Sequence, residues 1–233
     1  MDNMLYMSSP INALLEGFYR DDITIATLRE KGDFGIGTFN NLDGEMVALD
    51  GRFYQLDLEG NAHETDESLK TPFSTVCHFK AMLSEEVDAP MSYEDFNEKL
   101  KHILPSDNMF YAIHMKGRFK AVKTRSVPRT ENYRPLSEAT DHQKLRDFED
   151  VNGHLIGFYT PGFVPSVNVP GYHFHFIDDA FSAGGHMLTC EPEQLDIRLQ
   201  LFHSMELTLP KTLDYLTASF SRDAVKDLEK AER

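Results

Sequence analysis

The sequence has no tryptophan and, in 233 residues, two cysteines, Cys77 and Cys190. With no CxxC pair and no dense cysteine pattern, a disulfide framework and a thiolate zinc site both drop out. Two buried, reduced thiols are expected instead. Basic residues are scarce: 23 Lys and Arg stand against 38 Asp and Glu, a formal net charge of −15. Nucleic-acid binding needs a basic stripe, so nucleic acid is not an expected partner. An anionic substrate would need cations placed locally in its site. No apolar run approaches the roughly 20 residues of a membrane span. The opening MDNMLYMSSPINALL lacks a basic segment followed by a long apolar one, so no secretory signal is read and a cytoplasmic location is expected. Repeats, low-complexity tracts and Gly-rich phosphate loops are also missing.

What is present is enough for a substantial core: 41% hydrophobic residues, with 17 Phe and 9 Tyr to do the packing that tryptophan would otherwise share. Ser9-Pro10 opens a predicted helix over Asn12 to Tyr19, and a second is predicted from Thr24 to Glu30, stopped by Gly32. Short β-rich runs follow at Gly35–Phe39, Glu45–Leu49 and Arg52–Leu58. Asp43-Gly44 and Asp50-Gly51 are the turns of a meander between them. Pro72–Phe79 is a further predicted strand, and Ser92 caps a helix running to Ile103. Met109–His114 and Arg118–Thr124 read as a hairpin around Lys116-Gly117, and Ser137–Asp147 as a helix. Strands are then expected at Leu155–Tyr159, Tyr172–Phe176, His186–Cys190, Leu195–Phe202 and Met205–Leu209, before a closing helix over Ser221–Glu232. The expected fold class is α+β: two mixed or antiparallel sheet layers with peripheral helices, and a metal site on a strand pair in the C-terminal half. Residues 1–135 form an expected N-terminal α/β sheet region. Residues 136–233 form a C-terminal β-rich region, or the two make one continuous unit.

The chemistry concentrates in Gly171-Tyr172-His173-Phe174-His175-Phe176 and the later His186. On a strand, residues i and i+2 share a face, about 6–7 Å apart. His173 and His175 therefore project together, while Tyr172, Phe174 and Phe176 turn to the other face, where aromatics suit a core. The loop Asp178 to Gly185 is rich in turn formers, and His186 begins the next strand. If those strands pair, three neutral imidazoles converge into a site for zinc or a related divalent ion, with coordination positions left for substrate. The bland alternative is a pair of polar residues on a solvated strand face. A cupin-like iron or manganese protein also uses H-x-H on a strand, but it needs a glutamate soon after, where this chain has Ile177-Asp178-Asp179. A non-catalytic metal or ligand module is a third reading. Oxygen uptake would mark the cupin, and product formation would separate an enzyme from a binding module.

Several separated stretches, in order, resemble the acetolactate decarboxylase family over nearly the whole chain. They are Gly35-Ile36-Gly37-Thr38-Phe39, Leu42-Asp43-Gly44-Glu45, Asp50-Gly51-Arg52-Phe53-Tyr54, Thr124-Arg125-Ser126-Val127-Pro128, Gly157-Phe158-Tyr159-Thr160-Pro161, and Gly171–Phe176 with its distant His186. The resemblance implies a metal held by His173, His175 and His186, most readily Zn2+, with no organic cofactor. It implies catalytic roles for Arg125, Glu45, Thr38 and a C-terminal glutamate, Glu232, with Glu229 as competitor. The residues alone favour the bland readings: Glu45 as an exposed turn carboxylate, Arg125 as a surface charge and the tail glutamates as a solvated helix face.

The implied reaction takes 2-acetolactate to R-acetoin and carbon dioxide, in a homodimer acting on a small-molecule substrate with no nucleic acid or membrane partner. Loss of carbon dioxide leaves an electron pair that the neighbouring ketone accepts as an enediolate. A divalent cation on the hydroxyl and keto oxygens is a Lewis acid where that charge develops. The guanidinium fork of Arg125 suits a carboxylate or the enediolate, and Glu45 or Glu232 is the expected proton donor.

Overall fold

Alternation of apolar and polar residues dominates the chain, and strands dominate the computed structural model, which describes residues 3–131 and 133–220. In order, the elements are β1 (Met4–Met7), α1 (Ile11–Leu15), α2 (Ile25–Lys31), β2 (Phe34–Thr38), β3 (Glu45–Leu49), β4 (Arg52–Leu56), β5 (Ala62–Glu64), β6 (Phe73–Cys77), β7 (Leu83–Val87), α3 (Tyr93–Ile103), β8 (Phe110–Ser126), α4 (Leu136–Ala139), β9 (Lys144–Thr160), β10 (Gly171–Asp178), β11 (Gly184–Phe202), β12 (Ser204–Leu207) and α5 (Leu213–Thr217). They form a seven-stranded sheet, β12-β1-β6-β2-β3-β4-β5, and a five-stranded sheet, β10-β9-β8-β11-β7. The pairing of β1 with β12 is parallel, and the other strand pairs are antiparallel. The start of β11 also pairs with β10, so β8 to β11 close on themselves at that end. This is the expected α+β class. The second sheet draws strands from both sides of residue 135.

The two sheets face each other across a shared apolar layer. Phe34, Ile36, Val47, Leu49 and Leu56 of the first meet Ala112, Ile156, Phe158, Ile177 and Phe202 of the second. The outer face of the second sheet is covered by Phe96, Leu100 and Ile103 of α3. The outer face of the first is covered by Ile25 and Leu28 of α2. A smaller cluster of Ile11, Leu14, Leu42, Phe73, Val127 and Leu136 joins α1 and α4 at one end of the layer. Tyrosine and phenylalanine do fill the place of tryptophan: Tyr19, Tyr111, Phe34, Phe53, Phe96 and Phe119 are among the largest fully buried side chains, each contributing roughly 1.5–3 kcal/mol by burial. Cys77 and Cys190 are buried free thiols, and burial pushes both up and away from the reactive thiolate.

Several local expectations give way to long-range pairing. The predicted hairpin at Lys116-Gly117 is instead the middle of one strand, β8. A side chain at Gly117 would put its Cβ 1.8 Å from the Gln194 carbonyl oxygen, so that glycine serves close approach of strands rather than a turn. The predicted helix Ser137–Asp147 shrinks to α4 and a single 3-10 turn, Thr140–His142, because Lys144 to Asp147 pair with Ser126 to Lys123 of β8. The two strands expected over His186–Phe202 are one, β11, which carries Pro192 at a register shift where no ladder bond is needed. The first helix is shorter than Asn12–Tyr19 and has no side-chain cap. Ser92 caps α3 as expected, and Thr24, expected as the first helical residue, is the N-cap of α2. β1, β5, β7 and α5 were not anticipated. The helix expected over Ser221–Glu232 lies outside the described residues.

His114 and His154, which the sequence leaves without a role, meet between the sheets. His154 Nε2 lies 3.0 Å from Asp179 Oδ1, and its Nδ1 lies 2.9 Å from His114 Nε2. With the His154 Nε2–H donated to the carboxylate, His154 Nδ1 accepts from His114. Burial, the neighbouring His154 and Arg198 push His114 down to about 4 from its ordinary 6.5. The unfolded chain therefore takes up a proton near pH 6.5 that the folded chain refuses until about pH 4, and stability falls as pH drops through that window. We expect this residue to account for about 2–3 kcal/mol of acid destabilisation. Thermal melts from pH 7 to pH 4 should show a shallower loss in His114→Gln than in the unaltered protein; equal slopes would count against this origin.

Candidate metal centre

The β2–β3 connection carries the acidic residue of the site. It enters the left-handed region at Asn41 (φ 64), Leu42 (φ 55) and Gly44 (φ 92), which costs about 1–2 kcal/mol at each non-glycine position. Asp43 (φ −78, ψ 65) is the centre of an inverse γ-turn closed by the Gly44 N–H on the Leu42 carbonyl, 2.8 Å. A Cβ at Gly44 would lie 2.4 Å from the Leu56 carbonyl oxygen, so glycine is required there. The turn is pinned from outside. The Asn41 N–H donates to the Tyr19 carbonyl and its carbonyl accepts from the Thr130 N–H, both at 2.7 Å. The Thr38 hydroxyl donates to the Gly44 carbonyl at 2.8 Å. Glu45 emerges as the first residue of β3, 7% exposed.

The imidazoles come from the other sheet. His175 stands directly opposite His186 in the β10–β11 pair, and His186 stands opposite Arg125 in the β11–β8 pair. Ile177, two residues beyond His175, lies in the layer between the sheets, and His173 and His175 share its face. Phe174 and Phe176 pack on the opposite face with α3, as the alternation requires. One ring nitrogen from each of His173, His175 and His186 lies within 4.8 Å of the others. His173 Nε2 and His186 Nδ1 are 3.1 Å apart. Two nitrogens at about 2.0–2.1 Å from one tetrahedral ion would be roughly 3.3 Å apart, so the spacing fits shared ligation.

His175 Nδ1–H donates to the Met46 carbonyl at 2.8 Å. That fixes its tautomer and turns Nε2 toward the cluster, the backing that ligating histidines commonly have. The same Nε2 lies 3.6 Å from Glu45 Oε2. Burial, and then the charge of Arg125, pushes His173 down to about 3, which keeps it neutral, the form that ligates.

Thr38, Glu45, Arg125, His173, His175 and His186 all line one cavity of ≈ 40 Å³, about three water positions. Its remaining wall is apolar: Ile11, Leu14, Leu42, Phe73, Val127 and Leu136. Sequence reasoning missed that wall and the Met46 carbonyl, since neither carries a residue-type signal. A larger cleft of ≈ 600 Å³, beside Tyr93, Asn97 and Thr189, touches His173 and His186 from another side. The smaller space is the chemical one, because it gathers Glu45, Arg125 and the third imidazole. Glu232 and Glu229 lie outside the described residues. Arg125 is 5% exposed and Glu45 7%, so neither is the solvated surface charge that residue type alone allows.

The profile of the alpha-acetolactate decarboxylase family matches residues 5–222. The chain is 42% identical to the alpha-acetolactate decarboxylase of Methanosarcina mazei, over 99% of this chain and 81% of that protein. With that of Bacillus licheniformis it shares 40% identity over 99% of this chain and 92% of the relative. A crystal structure of alpha-acetolactate decarboxylase from Bacillus subtilis superposes with a TM-score of 0.95 at 38% identity, covering 98% of this chain and 99% of that one.

If the three imidazoles hold one ion, His173→Ala, His175→Ala and His186→Ala should each weaken metal retention by more than about tenfold, beyond the loss of a mere backing contact. Elemental analysis after dialysis against a chelator checks this. Full metal content in all three variants would remove the ligand assignment.

Proposed function

The chain belongs to the alpha-acetolactate decarboxylase family of carboxy-lyases, and on that premise we propose that it converts 2-acetolactate to acetoin and carbon dioxide at the buried cavity between its sheets. The observation that carries this reading is the gathering of three imidazoles, one carboxylate and one guanidinium in a space whose remaining wall is apolar. His173, His175 and His186 would hold a divalent metal, with Zn2+ the best match to three neutral nitrogens. When bound, such an ion would supply Lewis acidity for the negative charge that develops as carbon dioxide leaves.

The chain's own residues account for the rest. Arg125 offers a planar fork of donors for the substrate carboxylate before it leaves, or for the enediolate oxygens as charge moves onto them. Leu42, Phe73 and Val127 offer apolar surface to the two methyl-bearing ends of the substrate and hold water away from the carbanionic carbon. Glu45, 3.6 Å from His175 at the end of its turn, would deliver the proton that converts the enediolate to acetoin, and delivery from one face gives a single enantiomer, R-acetoin in this reading. Thr38 donates its hydroxyl to the Gly44 carbonyl, so the role we assign it is holding the turn. Action as a cytoplasmic homodimer belongs to the same proposal; light scattering would measure the assembly. No described helix is long and apolar enough to cross a membrane.

Metal-loaded protein given racemic acetolactate should form acetoin of one hand by chiral analysis; no acetoin would overturn the proposal. Arg125→Lys keeps the charge and loses the fork, and turnover should fall at least about tenfold with metal content unchanged. Wild-type turnover in Arg125→Ala would take this residue out of the site. For the tail, Glu232→Gln should cost more activity than Glu229→Gln; the reverse order would move the role to Glu229.

A further inference from the structure

Gln55 of β4 sits on the wrong side of its sheet to touch substrate. It pairs with Met46 across the β3–β4 ladder. It shares the face of Phe53, which packs with Met46 and α2 on the outer side. Tyr54 and Leu56 take the inner face toward the second sheet. Yet Gln55 does not project freely from that outer face: its side-chain amide donates a hydrogen bond to the Asp43 carbonyl. Its Cγ lies 3.2 Å from where a Gly44 Cβ would be.

That bond falls on the peptide just before Gly44. The next carbonyl, that of Gly44, is held by Thr38. Two consecutive peptide groups are thus clamped, one from each neighbouring strand, immediately ahead of Glu45. They need clamping, because the connection holds two left-handed non-glycine residues and a γ-turn, and a strained conformation persists only when its surroundings over-determine it. We propose that Gln55 is a positioning residue for the decarboxylase reaction: it fixes the Asp43–Gly44 peptide and thereby aims the Glu45 carboxylate at the histidine cluster. This rests on the reading of Glu45 as the proton-delivering group.

Loss of the clamp should change how well Glu45 is placed without touching the metal or the substrate pocket. In Gln55→Leu, and in the near-isosteric Gln55→Glu, whose carboxylate cannot donate, kcat should fall about tenfold, the scale of one positioned hydrogen bond. KM should stay within about twofold, and metal content should not change. Gln55→Lys, which restores a donor, should recover most of the rate. Unchanged kcat in Gln55→Leu and Gln55→Glu, with Glu45→Gln inactive, would overturn the role of Gln55 and leave Glu45 in place. So would a general loss, with melting temperature, metal content and rate falling together and no recovery in Gln55→Lys. A fully active Glu45→Gln would overturn the reading of Glu45 itself, and this inference with it.

Discussion

His175 faces His186 across an antiparallel strand pair, and His186 faces Arg125 across the next. Because side chains alternate with period two, a slip of one residue in β10 would send His173 and His175 out beneath α3 and bring Phe174 and Phe176 into the layer between the sheets. The register is therefore decided by apolar burial on both faces at once. Phe174 and Phe176 are held under α3, while Ile177, continuing the histidine face, is held against the first sheet. Much of what the site needs follows from that lock. The imidazoles converge because their strand has no other way to bury its aromatics.

A site built in a buried layer must then manage the cost of its own polarity. Glu45 and Arg125 are both nearly inaccessible, and single buried charges are expensive unless partnered. Placing one of each sign around one small cavity limits that cost, and the Arg125 charge helps keep His173 neutral. The strain of the β2–β3 connection is the other local cost. It is sustained by hydrogen bonds to the Tyr19 carbonyl and from Thr130 and Thr38, residues far apart in the chain. At the end of the layer that carries the chemistry, local preference is thus overruled at Asn41 and Leu42.

The sequence was most legible where residue type and period agreed. The H-x-H pair, its aromatic counter-face, the Asp-Gly turns and the cap at Ser92 all express local geometry, and the structure reproduces them. It was least legible where a distant strand decides. Nothing near Lys116-Gly117 distinguishes a turn glycine from one that admits the Gln194 carbonyl, and nothing in Ser137–Asp147 announces that Lys144 onward pairs with β8. Glu45 and Arg125 carry no burial signal of their own type; only the ordered motifs of a family pointed to them. The Met46 carbonyl and Gln55 are invisible for the same reason, since a backbone oxygen has no letter and a glutamine on an outer face looks like solvent-facing polarity.

The same two sheets hold a second meeting of histidines, and the contrast explains why one reads as a metal centre and the other does not. His154 ends its chain of hydrogen bonds on the carboxylate of Asp179, and His114 completes it from the other side. Lys116 and Arg198 stand in the same cavity, and both disfavour a further positive charge at His114. That pair is a closed hydrogen-bonded unit whose effect is felt through pH. At the other end a third imidazole joins, one of the three is fixed by a backbone carbonyl, and a carboxylate stands 3.6 Å from it. Among the described residues this is the group whose ligand atoms converge within 4.8 Å. Three ring nitrogens that converge on one point, with a carboxylate beside them, form a group that could hold a cation, and that convergence separates it from a hydrogen-bonded pair of buried side chains.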